Sequence, residues 1–201
     1  MGKRILSLFL TVVMVFTMLF TLLPVTAYAD EPIPGGTTDF AGGNGYEYTP
    51  YLIATAEQLN NVRNFLGEEY RYTYFQLIAP IDLSSYPNWE PIGNEDNPFY
   101  GRFYGVSGNP LVYHPITNLT INRPDESYVG LFGCCGDAIF IGVTIEGANV
   151  TGGPKTGILA GALGHKITED PTRYHYGKID RCSSTGSVRS STQPDNGRVG
   201  G

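Results

Sequence analysis

The chain of 201 residues has few charged side chains, and most of them are acidic. Asp and Glu number 19 against 13 Lys and Arg, so the net charge is −6 at pH 7, and charged residues make up only 16% of the sequence. A protein that binds nucleic acid needs a basic face that releases counterions from the phosphates. The composition therefore argues against nucleic acid as a partner.

The sequence also lacks the short motifs that signal catalysis or a metal site. It contains no His-Glu-x-x-His string, no Gly-x-Ser-x-Gly elbow and no Cys-x-x-Cys pair. Its three histidines lie in polar or Gly/Pro-rich stretches, where we expect them at the surface. They are His114, His165 and His175.

Cysteine is scarce too, with three residues in the whole chain. Cys134 and Cys135 are adjacent, and neighbouring cysteines rarely bond to each other because the ring that they close is strained. Cys182 stands alone, so an odd thiol would remain even if one pair formed. We expect the cysteines to act as small buried apolar residues.

Carboxylates are the remaining candidates for chemistry, because a glycoside hydrolase needs two of them about 5 to 9.5 Å apart. Most lie in turn-like stretches where solvation explains them, and Asp82 is expected to accept backbone N–H groups at a turn. The segment Asn94–Asn97 lacks the alternating spacing of a calcium loop. We therefore expect no catalytic residue, no cofactor and no metal ligand. The acids considered are Asp82, Glu90, Glu95, Asp96, Asp125, Glu126, Glu146, Glu169 and Asp170.

The N-terminus has the pattern of a secretory signal. Lys3 and Arg4 precede an uncharged run from Ile5 to Leu23, and the small-residue site Ala27-Tyr28-Ala29 follows. This order predicts export and cleavage after residue 29, with no membrane span afterwards. The alternative is an uncleaved membrane anchor, because the apolar run approaches the roughly 20 residues that a spanning helix needs.

Glycine is abundant, at 26 of 201 residues, and it divides the rest of the chain into short segments. Residues 30–45 are expected to form a linker loop. One helix is predicted over Ala56–Leu66, since Thr55 and Gln58 have the spacing of a capping box and Gly67 can end the helix. The predicted strands include Tyr72–Ile78, Leu119–Ile121, Ala138–Ile145 and Ile158–Leu163.

Two sequence phrases recur and interleave. The glycine phrase Val129–Gly133 returns as Thr156–Gly161 and begins again at Val199–Gly201. The second phrase, Ile116–Ile121, returns as Ile141–Ile145 and more loosely as Ile179–Ser184. The number of residues between recurrences varies, whereas the phrases themselves stay similar. This pattern fits a solenoid whose turns tolerate insertions.

This alignment makes two predictions about the solenoid. It predicts that Leu119, Val143 and Cys182 share one inward column of side chains. It also makes the polar stretch Gly164–Gly177 an insertion that loops out of one turn.

The interleaved phrases resemble the GLUG-motif repeats of bacterial surface proteins. Upstream segments match as well, namely Pro50–Leu59, Ile81–Leu83, Trp89–Gly93 and Phe99–Gly105. The resemblance covers about residues 42–201 and implies a right-handed parallel β-helix on an exported, often wall-attached protein. Similar segments precede the catalytic domain of immunoglobulin A1 protease-type zinc metallopeptidases. Tyr104 departs from the pattern, which commonly has Asp there.

The sequence thus predicts an all-β solenoid with one N-terminal capping helix, and the resemblance implies that the solenoid is a right-handed parallel β-helix. The expected order is a signal peptide (1–29), a linker loop (30–45) and a repeat domain (46–201), with a cap to about residue 105, repeats from about residue 106 and a last repeat that is cut off. We expect a non-catalytic secreted or cell-surface module acting as a stalk, an adhesin or a ligand-presenting segment. The alternative is the accessory N-terminal region of a secreted hydrolase, a zinc metallopeptidase or a glycan-active enzyme, whose catalytic domain follows residue 201.

The expected partner is a host or cell-surface protein or a glycan, reached through loops. The surfaces singled out are Trp89–Tyr104 and the insertion Gly164–Gly177. Trp89 with neighbouring tyrosines could form a platform for sugar rings. The competing interpretation is that Trp89 and Phe99 fill the apolar interior.

Overall fold

The computed structural model describes residues 39–164 and 177–191, and these residues are mostly β-structure with one short α-helix. The all-β class expected from the sequence is confirmed. Helix α1 spans Ala56–Asn61. The strands are β1 Tyr51–Ile53, β2 Tyr74–Leu77, β3 Ile81–Asp82, β4 Arg102–Tyr104, β5 Val106–Ser107, β6 Val112–Tyr113, β7 Pro115–Thr117, β8 Thr120–Arg123, β9 Phe132–Cys134, β10 Ile139–Ile141, β11 Thr144–Gly152, β12 Ala160–Ala162, β13 Lys178–Asp180 and β14 Ser183–Ser190.

Helix α1 begins at the residues that the capping pattern predicted. Thr55 is extended, and its side chain accepts a hydrogen bond from the Gln58 amide at 3.2 Å, while Gln58 Oε1 accepts one from the Ala54 amide at 2.7 Å. The α-helix is shorter than predicted, because the chain tightens into a 3-10 turn at Val62–Asn64. Leu59 and Val62 are fully buried, so the apolar face of this segment packs on the core.

One of the two five-stranded sheets is parallel, with strand order β1-β2-β4-β10-β13. Its register aligns Phe75 with Phe103, Phe103 with Phe140, and Phe140 with Ile179. The three phenylalanines are fully buried, whereas Ile179 on β13 is 54% exposed. Strands β2, β4, β10 and β13 therefore each contribute one residue to a single column, which is buried as far as β10.

A second parallel sheet has strand order β3-β7-β11-β14 and aligns Ile81 with Ile116 and Ile116 with Ile145. Strand β11 is long enough to pair with both β7 and β8. A third parallel pair joins β9 and β12, and β5 and β6 form an antiparallel hairpin. Among the described residues, three separate sheets are therefore parallel.

The structure corrects the predicted column of Leu119, Val143 and Cys182. Val143 and Cys182 do lie side by side, because the Ser183 amide donates to the Val143 carbonyl and the Val143 amide donates to Cys182 Sγ at 3.4 Å. Leu119 lies elsewhere: the Asn149 amide donates to its carbonyl, which places it beside Ala148. All of these positions face inward, but Leu119 belongs to a different column.

The strand predicted over Ala138–Ile145 is two strands. Gly142 separates β10 from β11 with φ of +64°, a conformation that glycine adopts without steric cost. The corner also brings Gly142 close to Val106, whose side chain a β-carbon at position 142 would meet at 2.5 Å. A corner therefore interrupts the apolar run that suggested one strand.

The core is rich in packed aromatic rings. Phe99 contacts Phe132 with ring centroids 4.8 Å apart, and Phe132 contacts Phe140 at the same distance. Phe40, within the segment expected to be a linker, is buried and stacks on Tyr51 at 4.6 Å. These rings fill the space between the sheets.

Several predictions concern residues outside the described part of the chain. They are the signal sequence and its cleavage site in residues 1–29, most of the insertion Gly164–Gly177, and the glycine phrase at Val199–Gly201. Within the described ranges, no helix combines the length and the apolar character that crossing a bilayer requires.

Candidate functional site

Trp89, considered as a possible aromatic platform, lies in the core instead. Trp89 is fully buried, and its indole Nε1 donates to the Leu131 carbonyl at 3.0 Å. Tyr86 packs edge-on against it at 5.1 Å, and Phe99 is also fully buried. The competing interpretation, in which Trp89 and Phe99 fill the interior, accounts for their positions.

Asp82 has the turn role that the sequence predicted. Its Oδ1 accepts hydrogen bonds from the Ser84 amide at 2.9 Å and from Asn118 Nδ2 at 2.8 Å. The bonds from Asn118 and Ser84 lower the pKa of this exposed carboxyl group. The carboxylate therefore fixes two neighbouring turns.

The other candidate acids are spread over the surface. Glu90 pairs with Arg63 at 3.5 Å, and Glu126 pairs with Arg123 at 2.7 Å. Asp96, Asp125 and Glu146 are exposed as well, and Glu169 and Asp170 lie outside the described residues. Across residues 39–164 and 177–191, no three His, Cys, Asp or Glu side chains cluster in a way that could hold a metal ion.

The expectation of a surface position is wrong for His114, which is only 7% exposed. Its Nε2 lies 2.7 Å from Oγ of Ser107, which belongs to β5. Burial lowers the pKa of this imidazole, because the charged form loses solvation. His165 and His175 are outside the described residues.

The cysteines behave as the sequence predicted. All three are free thiols, with Cys134 and Cys135 fully buried and Cys182 half-buried. Burial raises the pKa of Cys134 to about 11, and it raises those of Cys135 and Cys182 as well. A protonated, buried thiol is a poor nucleophile, so these residues serve packing.

A polar cluster that sequence reasoning missed joins Glu95, Tyr128 and Lys155. The Tyr128 hydroxyl donates to Glu95 Oε1 at 3.0 Å, and Lys155 Nζ lies 4.2 Å from the Tyr128 ring centroid. Tyr128 and Lys155 both have φ of +61°, and the residues after them, Val129 and Thr156, pair in parallel. The cluster thus ties equivalent corners of successive strands together.

The second unanticipated feature is an aromatic depression, here called the tyrosine cleft, with a volume of about 270 Å³. Ligand sites of drug size usually measure roughly 300 to 1,000 Å³, so this cleft matches a small ligand or one end of a longer one. The described residues that line it are Asn44, Gly45, Tyr46, Tyr51, Phe65, Glu69, Tyr70, Tyr72 and Thr73.

One wall of the tyrosine cleft is a turn before β1. The amides of Asn44 and Gly45 both donate to the Thr49 carbonyl at 3.0 Å, and the Tyr74 amide donates to the Gly45 carbonyl at 2.9 Å. Gly45 has φ of +81°, and a β-carbon there would lie 2.6 Å from the Tyr51 ring. Only glycine therefore lets this turn approach the cleft floor.

The floor of the cleft is rigid aromatic packing. The Tyr51 and Phe65 ring centroids are 5.0 Å apart, and Tyr70 packs edge-on to Phe65 at 5.4 Å. Burial raises the pKa of Tyr51, and the nearby Tyr46 and Tyr70 raise it further. The phenol of Tyr51 is therefore protonated at neutral pH.

The rim of the cleft consists of tyrosines that face solvent. Tyr46 is 70% exposed and Tyr72 is 71% exposed. The Arg102 guanidinium lies 5.7 Å from the Tyr72 ring centroid, and its Nη1 donates to the carbonyls of Tyr100 and Asp137. The sequence shows that tyrosines crowd this region, but only the fold separates the rim from the floor.

The chain is similar to segments of two curated proteins. No family model matches the chain. The chain is 41% identical over 143 residues to a protein of Evansella cellulosilytica provisionally named a Gly-rich membrane protein, which covers 65% of this chain and 16% of that protein. It is 32% identical over 171 residues to halomucin of Haloquadratum walsbyi, covering 79% of this chain and 2% of halomucin.

A solved structure has a similar fold. It is the crystal structure of a protein from Bacteroides ovatus provisionally assigned as an immunoglobulin A1 protease, with a TM-score of 0.55 and 28% identity over 75% of this chain and 41% of that one. The chain therefore spans less than a fifth of the length of the two curated relatives and under half of the similar structure. The chain is thus similar to segments of two much longer proteins and to part of one solved structure.

Proposed function

We propose that this chain is a non-catalytic β-helical module of an exported or cell-surface protein, serving as a stalk, an adhesin or a ligand-presenting segment. The observation that carries the proposal is the aligned column Phe75–Phe103–Phe140 in a parallel sheet. Strands that repeat one register, joined by corners and filled by aromatic rings, are what a right-handed parallel β-helix requires.

The arrangement of the acids supports a non-catalytic role. Asp82 fixes turns, Glu90 and Glu126 pair with arginines, and Glu95 accepts from Tyr128. General acid–base catalysis needs a carboxyl group in a cleft whose pKa is tuned toward the working pH. Asp82 is exposed and its pKa is displaced downward, away from neutral pH.

The relatives support an extracellular location. One is provisionally named a membrane protein and another is a halomucin, and both are several times longer than this chain. The leader pattern around Lys3 and Arg4 points the same way. On this proposal the module is one part of a long exported polypeptide.

A second candidate function is the accessory region of a secreted hydrolase. The specific observation in its favour is the similarity to the protein provisionally assigned as an immunoglobulin A1 protease. In that role the module would position a separate catalytic domain and would still have no activity of its own.

The experiment has two arms. The purified chain is incubated with immunoglobulin A1, casein and a panel of plant and mucin-type polysaccharides, and mass spectrometry and reducing-end assays look for products. We expect none. Turnover that is lost in Asp82→Asn, Glu90→Gln or Glu146→Gln without loss of fold would overturn the proposal. Antibody labelling of intact producing cells and of their medium tests the location, and protein found only inside cells would contradict it.

A further inference from the structure

We propose that the tyrosine cleft binds an uncharged pyranose oligosaccharide, an inference that rests on the proposed ligand-presenting function. A pyranose ring has an apolar C–H face and a rim of hydroxyl groups. The exposed rings of Tyr46 and Tyr72 offer flat apolar surfaces for such a face. Tyrosine provides this contact area at a low entropy cost, since its side chain has only two torsions to fix.

Packed aromatic rings form the floor of the cleft. Tyr51 stacks on Phe40 and contacts Phe65, and Tyr70 packs edge-on to Phe65. The turn that carries Tyr46 is closed by hydrogen bonds to the Thr49 carbonyl. A preformed site loses little ordering entropy when a ligand binds.

Charge favours a neutral ligand. Among the described lining residues, Glu69 alone is charged, and its carboxylate would repel an acidic glycan. The Arg102 guanidinium already lies over the Tyr72 ring, so a second cation at that ring would meet a like charge. With one carboxylate in the lining and one guanidinium beside it, the cleft has no excess of charge that would favour an acidic polysaccharide or a quaternary amine over a neutral sugar.

Hydrogen-bonding capacity favours a sugar over a proline-rich peptide, the other common occupant of aromatic grooves. The Glu69 carboxylate can only accept hydrogen bonds, so it needs donors from the ligand. Sugar hydroxyls are donors, whereas prolines have no N–H. Asn44 and Thr73 add side chains that can both donate and accept.

The test measures binding by isothermal titration calorimetry with cellohexaose, maltohexaose and chitohexaose as probes. Hexagalacturonic acid, choline and hexaproline represent the disfavoured classes. We expect at least one neutral oligosaccharide to bind, and Tyr46→Ala and Tyr72→Ala each to weaken its binding about threefold to tenfold. Tyr48→Ala is the matched control, since Tyr48 is 91% exposed and does not line the cleft, and it should change affinity less than twofold.

Binding to none of the three neutral sugars, or binding that survives both rim substitutions, would overturn the inference. So would binding of only hexagalacturonic acid, choline or hexaproline. Circular dichroism confirms that each variant is folded. A chain that binds no sugar and produces no hydrolysis products would leave the proposed module function standing, whereas cleavage of a bound oligosaccharide would overturn that function and not the site.

Discussion

The indole N–H of Trp89 donates to the carbonyl oxygen of Leu131 at 3.0 Å, deep in the core. Trp89 is the only tryptophan in the chain, so its fluorescence reports on this one position. We expect blue-shifted emission in the native protein that moves to longer wavelength in concentrated urea. Native emission at the unfolded wavelength would contradict the burial.

Replacing Trp89 with Phe should destabilise the protein by about 1–2 kcal/mol, because one hydrogen bond is lost and the smaller ring leaves a void. The Leu131 carbonyl still accepts from the Ile92 amide at 3.1 Å, which limits the loss. Urea unfolding followed by circular dichroism measures the change. An unchanged unfolding midpoint would show that the Trp89 indole does not stabilise the core.

Phe103 lies in the middle of the inward column, between Phe75 and Phe140. Phe103→Ala should cost about 3–5 kcal/mol, the usual range for removing a fully buried aromatic side chain. Ile179→Ala is the matched control, because Ile179 occupies the same column on β13 but is 54% exposed. It should cost less than about 1 kcal/mol. Similar costs for both substitutions would mean that the column does not support the stack as described.

Gly133 lets neighbouring strands approach closely. A β-carbon at this position would lie 2.2 Å from the Gly93 carbonyl oxygen and 2.8 Å from that of Tyr128. Since both obstacles are backbone atoms, Gly133→Ala should destabilise the protein by about 3 kcal/mol. Gly147→Asn is the control, because a β-carbon there would have no atom beyond the adjacent residues within 4 Å, and Asn tolerates the φ of +66°. Its thermal midpoint should stay near that of the parent protein.

The buried His114 should make stability fall in mild acid. Its folded pKa lies below the ordinary value of 6.5, so the unfolded chain binds the proton first as the pH drops. The stability that neutral His114 contributes is fully present above the ordinary pKa of 6.5, and it is lost as the pH falls through the folded pKa. Free energies of unfolding should therefore drop less in His114→Gln than in the parent over this window. Equal pH dependence of the unfolding free energy in the parent and the variant would contradict the lowered pKa of His114. The other histidines are present in both proteins, so their effects cancel.

Sequence reasoning located the elements that depend on local chemistry. The start of α1 follows from Thr55 and Gln58, whose side chains make the capping bonds. The paired glycine phrases are confirmed by the bridge between Val129 and Thr156 and by the bond from the Leu131 amide to the Ile158 carbonyl. In these cases a few adjacent residues determine the geometry.

Features that depend on the register between strands far apart in the chain could not be derived from the sequence pattern. Leu119-Thr120-Ile121 and Val143-Thr144-Ile145 look equivalent, yet Ile145 aligns with Ile116 and Val150 with Ile121. The reason is that β11 runs past two successive strands, with an irregularity between Ile145 and Ala148 that a local pattern does not reveal. The tyrosine cleft was missed for a related reason, since the exposure of Tyr46 and Tyr72 depends on which residues pack beneath them.

The inward column has a consequence for how such a protein can change over evolutionary time. The chain covers different lengths between Phe75 and Phe103 and between Phe103 and Phe140, yet the three rings stay in register. Doubling a connecting loop costs only about 0.6 kcal/mol. Selection can therefore lengthen, shorten or rewrite the connecting loops while the column stays the same. New loop residues can then change the surface of the protein at a small cost in folding free energy.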